Sequence, residues 1–513
     1  MSRTGAELEA EARPRSARRA RTGPRTRRSS IGELAVNGAQ LAGLSAFALS
    51  QPLFDLLSRN AEFFAVRGST SGDIVLFALL VTVVPPLAML AVEALAGLVD
   101  RRLRLGLHLV FVAALVGLFA AQALKRIDGL GSLPILVGAA LLAVAAAIAY
   151  LRLEPVRRLL TILAPASLLF PALFLFSSPV TKLVFPPTPQ VAQAAAGSGS
   201  EAPPIVFVIL DEFPTPAIMT SSGEIDSVRY PNIAAFARGA TWFRNATTVG
   251  WETVHAVPSL LTGRLPESDQ LPVFADHPRN LFTLLRGRYR LNVHESNTRL
   301  CPRDLCESET DAFGERMRSL FSDVGVLYAH MVAPPRYERR LPSVATGGGD
   351  FLADDDDPRE RKGKLARWRA FVASVGATGR PTLDFIHILL PHEPWKFLPS
   401  CRSNVFRTVR IHTPGLPPGD LRWQPDSWLT TQAHQRLLLQ AQCIDSLVGR
   451  LMRKLQELGR YDDSLVVLAS DHGVSVRPGQ LRRHIDPDSP TNLADLAFPV
   501  VIVKRPGQQR GEV

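Results

Sequence analysis

The sequence predicts two architectures in tandem: a helical membrane region of five spans, then an α/β domain built on a largely parallel sheet. The first expectation rests on where the apolar residues lie. They make up 46% of the 513 residues but crowd the first third, in segments near the ~20 residues that carry a helix across a hydrocarbon core. The second rests on rhythm. Beyond Ile205 short apolar runs alternate with helical patterns, which is how parallel strands joined by crossover helices read.

Taken in order, Met1–Ser30 holds nine Arg and no long apolar run, so residues 1–33 read as a disordered basic tail. No small-residue cleavage site follows a short apolar stretch, which argues against a signal peptide. Residues 34–180 form the membrane region, with spans at Leu34–Leu57, Ile74–Val99, Leu105–Leu124, Leu133–Leu151 and Leu159–Phe176. Pro85–Pro86 interrupts the second span and predicts a kink, since proline lacks the N–H that the helix would use. Arg and Lys set the orientation. The tail, the Arg101–Arg104 turn and the Arg152–Arg158 turn fall on the cytoplasmic side, and the 58–73 and 125–132 connections lie outside. Five spans that start inside end outside, which places everything after residue 180 beyond the membrane. The net charge of +11 follows from this topology. No basic motif interleaved with aromatics accompanies it, so nucleic acid is not an expected partner. The expected partners are the lipid bilayer and a lipid or envelope-glycan substrate, and no protein partner can be inferred. The corresponding location is the inner or plasma membrane.

Residues 181–204 are rich in Pro, Ala, Gly and Ser and read as a linker. From 205 to 507 the predicted strands are Ile205–Leu210, Thr241–Phe243, Leu291–His294, Asp384–Leu389, Leu465–Ser470 and Pro499–Val503. The predicted helices are Pro231–Ala237, Asn280–Gly287, Lys364–Val375 and Thr430–Gly459. The four cysteines all lie in this part. In an oxidising compartment Cys301–Cys306 with Cys401–Cys443 is the simplest of the three possible pairings, and four free thiols remain the alternative. The acidic run Asp354–Asp357 reads as a solvated loop.

Ligands in such sheets bind beyond the carboxyl ends of the strands, and polar residues gather there. The run IVFVIL ends in Asp211–Glu212, and LVVLAS ends in Asp471–His472–Gly473. Carboxylate and imidazole at strand ends suit a divalent cation, although a turn or a helix cap would use the same residues. Between them, ATTVGWETVHAVPSLLTGR turns from a hydroxyl-rich loop into a short helix, with Pro258 near an early position and Gly263 closing it. A hydroxyl at the mouth of such a helix, here Thr253, suits an anionic group, or else it is an ordinary cap.

The segments Val206–Asp211, YPNIAAFARGATWFRNATT, Thr253–Pro266 ending in LLTGRLP, AQCIDSLVGRLMRKLQELGRYDDSLVVLASDHG and FPVVIVKRPG resemble, in this order, a sulfatase domain of the alkaline-phosphatase superfamily. Five spans before such a domain resemble lipoteichoic acid synthases and related phosphoglycerol transferases, and phosphoethanolamine transferases share the layout. The resemblance implies an alkaline-phosphatase-like sandwich. It also implies a single divalent cation held by Asp211, Thr253, Asp471 and His472, with Mn²⁺ or Zn²⁺ ahead of Mg²⁺ or Ca²⁺. Thr253 falls on the nucleophile position, where sulfatases carry a Cys or Ser that is oxidised to formylglycine. Threonine cannot give that aldehyde, and His255–Ala256–Val257 replaces the usual Pro-Ser-Arg pattern, which turns the expectation from sulfate esters to phosphoryl transfer.

His392 in LLPHEPW matches the substrate-side His of the family, and His484 in RRHIDP lies where a late basic residue is found. Trp395 is placed as a wall of the substrate pocket, with packing as the other reading. Glu212 is a second ligand or a structural acid, and Glu252 and His255 flank Thr253. The function expected is a sulfatase-like, metal-dependent transferase or hydrolase acting on a phosphoryl-linked headgroup. The alternatives are a sulfate or phosphonate ester hydrolase lacking formylglycine and an inactive envelope scaffold.

Overall fold

The computed structural model of the chain describes residues 26–186, 202–306, 312–338, 340–342, 363–376, 381–403, 413–417, 421–485 and 490–513. Most of the basic tail, most of the linker and the acidic run Asp354–Asp357 lie outside them.

Five helices among the described residues are long and apolar enough to cross a membrane: Gly32–Arg59, Ser71–Val99, Arg101–Lys125, Ser132–Arg152 and Glu154–Phe176. Each predicted span falls inside one of them. Their outward faces are apolar, with Leu95, Leu98, Leu141 and Leu168 exposed. The expected interruption at Pro85–Pro86 does not end the second helix, which runs from Ser71 to Val99 with both prolines inside it. The first helix carries a π-helical turn at Ala46–Ser50, just ahead of Pro52. Proline at 52 cannot donate to the carbonyl of Ala48. That carbonyl instead accepts from the Gln122 amide at 2.9 Å and the Tyr328 hydroxyl at 2.8 Å. A buried polar knot ties the helices together at the other end: His108 Nδ1 meets Glu93 at 2.9 Å, and Tyr150 donates to Gln40 at 3.0 Å.

The α/β domain holds a six-stranded sheet. Its strands are β1 (Ile205–Asp211), β2 (Thr241–Trp242), β3 (Arg290–His294), β4 (Thr382–Pro391), β5 (Leu465–Ser470) and β6 (Val501–Lys504). The spatial order is β2-β6-β5-β1-β4-β3. β1, β3, β4 and β5 run parallel, whereas β6 is antiparallel to both β5 and β2. All of the predicted strands are present, within a few residues at their ends.

Alternation along β1 and β4 sorts the side chains onto two faces. Val206, Val208, Leu210, Ile386 and Ile388 pack under the helices Pro231–Ala237, Lys364–Ser374 and Ser427–Glu457. Ile209, Leu383 and Phe385 pack under Thr253–Thr262 and Leu281–Leu285. The result is a three-layer sandwich. Tyr230 offers no side-chain cap to the helix Pro231–Ala237. Asp445 of the long helix caps it from outside, accepting from Ile233 N at 2.7 Å and Asn232 Nδ2 at 2.6 Å.

One long helix is absent from the sequence-level expectation. Phe313–Val332 belongs by chain order to the α/β domain, but its apolar stripe packs on the apolar bundle, with Met317, Leu320 and Val324 in one core with Leu53, Phe54, Phe77 and Phe174. Charges flank this contact. Arg67 pairs with the fully buried Asp323, and Arg316 meets Asp73 at 2.9 Å. The cysteines pair as Cys301–Cys306 and Cys401–Cys443.

Candidate metal centre and active site

β1 ends in a geometry that aims two adjacent acids differently. Its register with β4 slips between Leu210 and Asp211, and Glu212 takes a left-handed φ of 61°, a strained conformation for a non-glycine residue. The turn is held by Glu212 N donating to Asp471 Oδ1 at 3.2 Å and Phe213 N donating to Ser470 Oγ at 2.9 Å. Asp211 therefore faces the end of β5, and Glu212 swings away from it.

β5 delivers Asp471 and His472 directly after Ser470. Gly473 follows because nothing larger fits: a Cβ there would stand 1.9 Å from the Asp495 carbonyl oxygen. Thr253 opens the helix Thr253–Thr262, which Gly263 closes at a φ of 68°. The helix begins earlier than the sequence implies. Pro258 sits inside it rather than near its start, since one missing N–H in a short helix is tolerated where the apolar face, here Val257 and Leu261, is buried.

These elements bring the predicted residues together. The Thr253 hydroxyl donates toward Asp211 Oδ2 at 3.4 Å. His472 Nε2 stands 3.9 Å from Asp211 Oδ1 and 3.6 Å from Asp471 Oδ2. A residue the sequence reading missed joins them: His387, midway along β4, lies with Nε2 4.0 Å from Asp211 Oδ2. Ligand atoms of Asp211, His387 and Asp471 all fall within 4.8 Å of one another.

Every one of these groups is buried. Asp211 Oδ1, Asp471 Oδ2, His387 Nε2 and His472 Nε2 have no hydrogen-bond partner. Their other polar atoms are engaged. His387 Nδ1 bonds the Ser296 carbonyl at 2.6 Å and His472 Nδ1 bonds that of Gly473 at 2.9 Å, which fixes the tautomer with each Nε2 lone pair free. Buried polar atoms without partners are rare and call for an explanation, and converging lone pairs fit a cation.

The electrostatics agree. Burial raises the Asp211 carboxyl well above the usual range and the neighbouring Asp471 adds to it, while burial pushes Asp471 up to about 7. Burial also lowers His387 to about 3 and lowers His472, leaving both imidazoles neutral, the form that ligates metal. Two carboxylates, two imidazoles and a hydroxyl make a mixed O and N donor set, suited to Zn²⁺ or Mn²⁺.

Glu212 lies beside this centre. Its carboxylate pairs with Arg482 at 2.6 Å and with Arg483 at 2.6 Å. Burial opposes its ionisation, but Arg482 and Arg483 outweigh burial and hold the carboxyl well below the usual range. Of the two readings of Glu212, the geometry matches the structural acid. His392 stands 3.8 Å from Glu212, with Nε2 against Arg483 and Nδ1 on the Glu393 carbonyl at 2.7 Å. The basic side chain that reaches the centre from the late loop is that of Arg483. His484 contributes its carbonyl, which accepts from Asn492 at 2.9 Å. Trp395 is 2% exposed and stacked on Trp423, an arrangement that fits the packing reading. Glu252 and His255 form a partly exposed pair 3.7 Å apart at the helix mouth.

No curated protein matches the sequence of the chain. Among solved structures, a phosphonate monoester hydrolase from Silicibacter pomeroyi is 17% identical, covers 61% of this chain and 70% of its own, and has a TM-score of 0.38. The C-terminal periplasmic domain of EcEptC from Escherichia coli, in complex with Zn, is 16% identical, with coverage of 63% and 78% and a TM-score of 0.37. The sulfatase family model matches residues 203–512, more than half of the sequence. With the sheet order, the strand-end acids and this match in hand, the chain belongs to the sulfatase family.

Proposed function

We propose that the chain is a membrane-embedded, metal-dependent enzyme that transfers or hydrolyses a phosphoryl-linked headgroup on an envelope lipid or glycan, with Thr253 as nucleophile. The observation that carries this reading is the convergence of the Thr253 hydroxyl with the unpartnered atoms of Asp211, Asp471, His387 and His472 in one buried site. A threonine hydroxyl is a weak nucleophile near neutral pH and needs activation. A dication held by these residues supplies Lewis acidity, favouring the alkoxide and offsetting phosphoryl charge.

The chain's own groups do the rest. Thr253 Oγ releases its proton to solvent and forms the new bond to phosphorus as the bond to the ester oxygen opposite it breaks and that oxygen takes up a proton. Water or an acceptor hydroxyl then attacks in line and gives up its proton, the P–Oγ bond breaks, and Thr253 Oγ regains a proton. Arg483, held by Glu212 and His392, places a permanent positive charge beside the phosphoryl oxygens. Asp211 and Glu212 keep distinct roles because the turn between them separates their carboxylates.

The five apolar helices are proposed to span the inner or plasma membrane, with the basic tail and the Arg101–Arg104 and Arg152–Arg158 turns cytoplasmic. The α/β domain then lies outside. The α/β domain packs on the ends of the helices that this topology places outside, where Leu271 and Val273 share a core with Phe64 and Phe77.

The test is turnover by the full chain in detergent of an aryl phosphodiester, an aryl phosphomonoester and an aryl sulfate. The expected result is diester turnover that Thr253→Ala abolishes and Thr253→Ser partly keeps, with a dication copurifying at one per chain. Full turnover by Thr253→Ala sinks the nucleophile. Preference for the sulfate ester moves the assignment to a formylglycine-independent sulfatase, and absence of both metal and turnover points to a scaffold.

A further inference from the structure

The bundle and the helix Phe313–Val332 border an open apolar groove of about 450 Å³ that the chemistry above leaves unused. Leu49 and Leu53 of the first apolar helix, Val81 and Pro85 of the second, and Phe321 and Gly325 of Phe313–Val332 line it. Its size lies within the ~300–1,000 Å³ of small-molecule sites. We propose that it receives one acyl chain of the lipid whose phosphoester head reaches Thr253, an inference that rests on the lipid-headgroup reading above.

The lining excludes most other ligands. The wall offers no charge, and its one hydroxyl, that of Tyr328, is turned to the Ala48 carbonyl at 2.8 Å. A polar ligand would lose its hydrogen bonds here, whereas an alkyl chain passing in from a bilayer loses nothing. Access is lateral, because Val84 at the rim is 49% exposed and the neighbouring Leu87 is 56% exposed.

The groove sits toward the ends that face the catalytic domain: Tyr328 on its wall meets the Gln122 amide at 3.3 Å, near the last turn of the helix Arg101–Lys125. The same ends meet the α/β domain, where Leu271 and Val273 share a core with Phe64 and Phe77. A lipid seated here has its head on the catalytic side.

Gly325 is the most pointed observation. Glycine inside a helix is a destabilising choice, usually explained by close packing. At Gly325 a Cβ would meet nothing within 4 Å. Gly325 is exposed at the open side of the groove it lines, so a larger side chain there would project across the groove's mouth.

The experiment uses the full chain in phosphatidylcholine vesicles doped with phosphatidylglycerol carrying a diazirine midway along one acyl chain. After irradiation, label is expected on peptides containing Leu49–Leu53, Leu80–Pro85 and Phe321–Tyr328. Gly325→Leu, which projects across the groove's mouth, should cut that labelling about tenfold, the scale of one or two methylenes in an apolar pocket. Gly325→Ala should keep it, and labelling of the outward face at Leu141–Ile148 should not change. Label spread evenly over all outward faces, or insensitive to Gly325→Leu, overturns the proposal. Labelling needs no turnover, so a chain inert toward every phosphoester would fail the headgroup reading alone. Where the chain turns over phosphatidylglycerol, Gly325→Leu should raise its KM and leave kcat/KM for a soluble aryl phosphodiester unchanged. Equal loss on both substrates overturns the acyl site.

Discussion

His387 and Glu212 are both buried, both polar and both within one turn or strand of the metal residues, yet the geometry gives them opposite assignments. His387 aims an unpartnered Nε2 into the centre, while Glu212 is spent on two guanidinium groups. His387→Ala should weaken metal binding by at least the ~10–100-fold that even supporting partners of a ligand account for, measured by chelator competition. Glu212→Gln should leave metal content unchanged and lower stability by about 3–5 kcal/mol, since it strips a buried ion pair of one charge. The pH sign is fixed as well. Arg482 and Arg483 hold the Glu212 carboxyl below its ordinary value of 4.5, so its pairing stabilises the fold above that pH and is lost on acidification. In Glu212→Gln the acid limb of the Tm profile should flatten. Asp211, Asp471 and His472 were legible because each breaks an apolar run where a strand ends. His387 was not, because it sits mid-run in DFIHILL and reads as strand filler. The only available clue was an imidazole in a strand buried on both faces. The late loop shows a different limit: RRH offers consecutive basic residues, and that Arg482 and Arg483 both turn inward is decided by Glu212 rather than by spacing.

At the scale of elements, the strands and most helices of the α/β domain were readable because each is short, periodic and packed on its neighbours in sequence. YPNI and CID stood out as patterns, and their reason is now physical: Asp445 caps the helix that Pro231 opens. The helix Phe313–Val332 escaped because its packing partner lies more than 200 residues earlier in the chain. Its apolar stripe had no neighbour in the same domain to suggest a role. The clamp that seats it yields a test. Asp323→Ala removes the carboxylate that faces Arg67, leaving it the Ser319 hydroxyl, and should destabilise the full chain in detergent by about 3–5 kcal/mol, read as a Tm drop. Joint replacement by Arg67→Met and Asp323→Leu should recover most of the loss, because an apolar pair needs no desolvation of charge. A double variant as unstable as the single one would mean the pair contributes more than compensation.

For the whole molecule, the bundle and the α/β domain share a core, since Leu271, Val273, Met317 and Leu320 bury themselves against Phe54, Phe64, Phe77 and Phe174. A fragment beginning at residue 202 should therefore expose this apolar face. It should bind detergent or a hydrophobic dye and associate in its absence, by analytical ultracentrifugation, while Leu320→Glu with Val324→Lys should render it monomeric. A wild-type fragment that is monomeric without detergent would place the contact outside the folding core. One feature of the first helix bears on this union. Pro52 leaves the oxygen of Ala48 without its helical donor, and two remote side chains answer it, one from the bundle and one from Phe313–Val332. A defect in a single turn thus acts as a keyhole: it gives the α/β domain one height and one rotation at which it locks onto the bundle, and restoring the missing amide with Pro52→Ala would leave the helix self-sufficient and its partner unlatched.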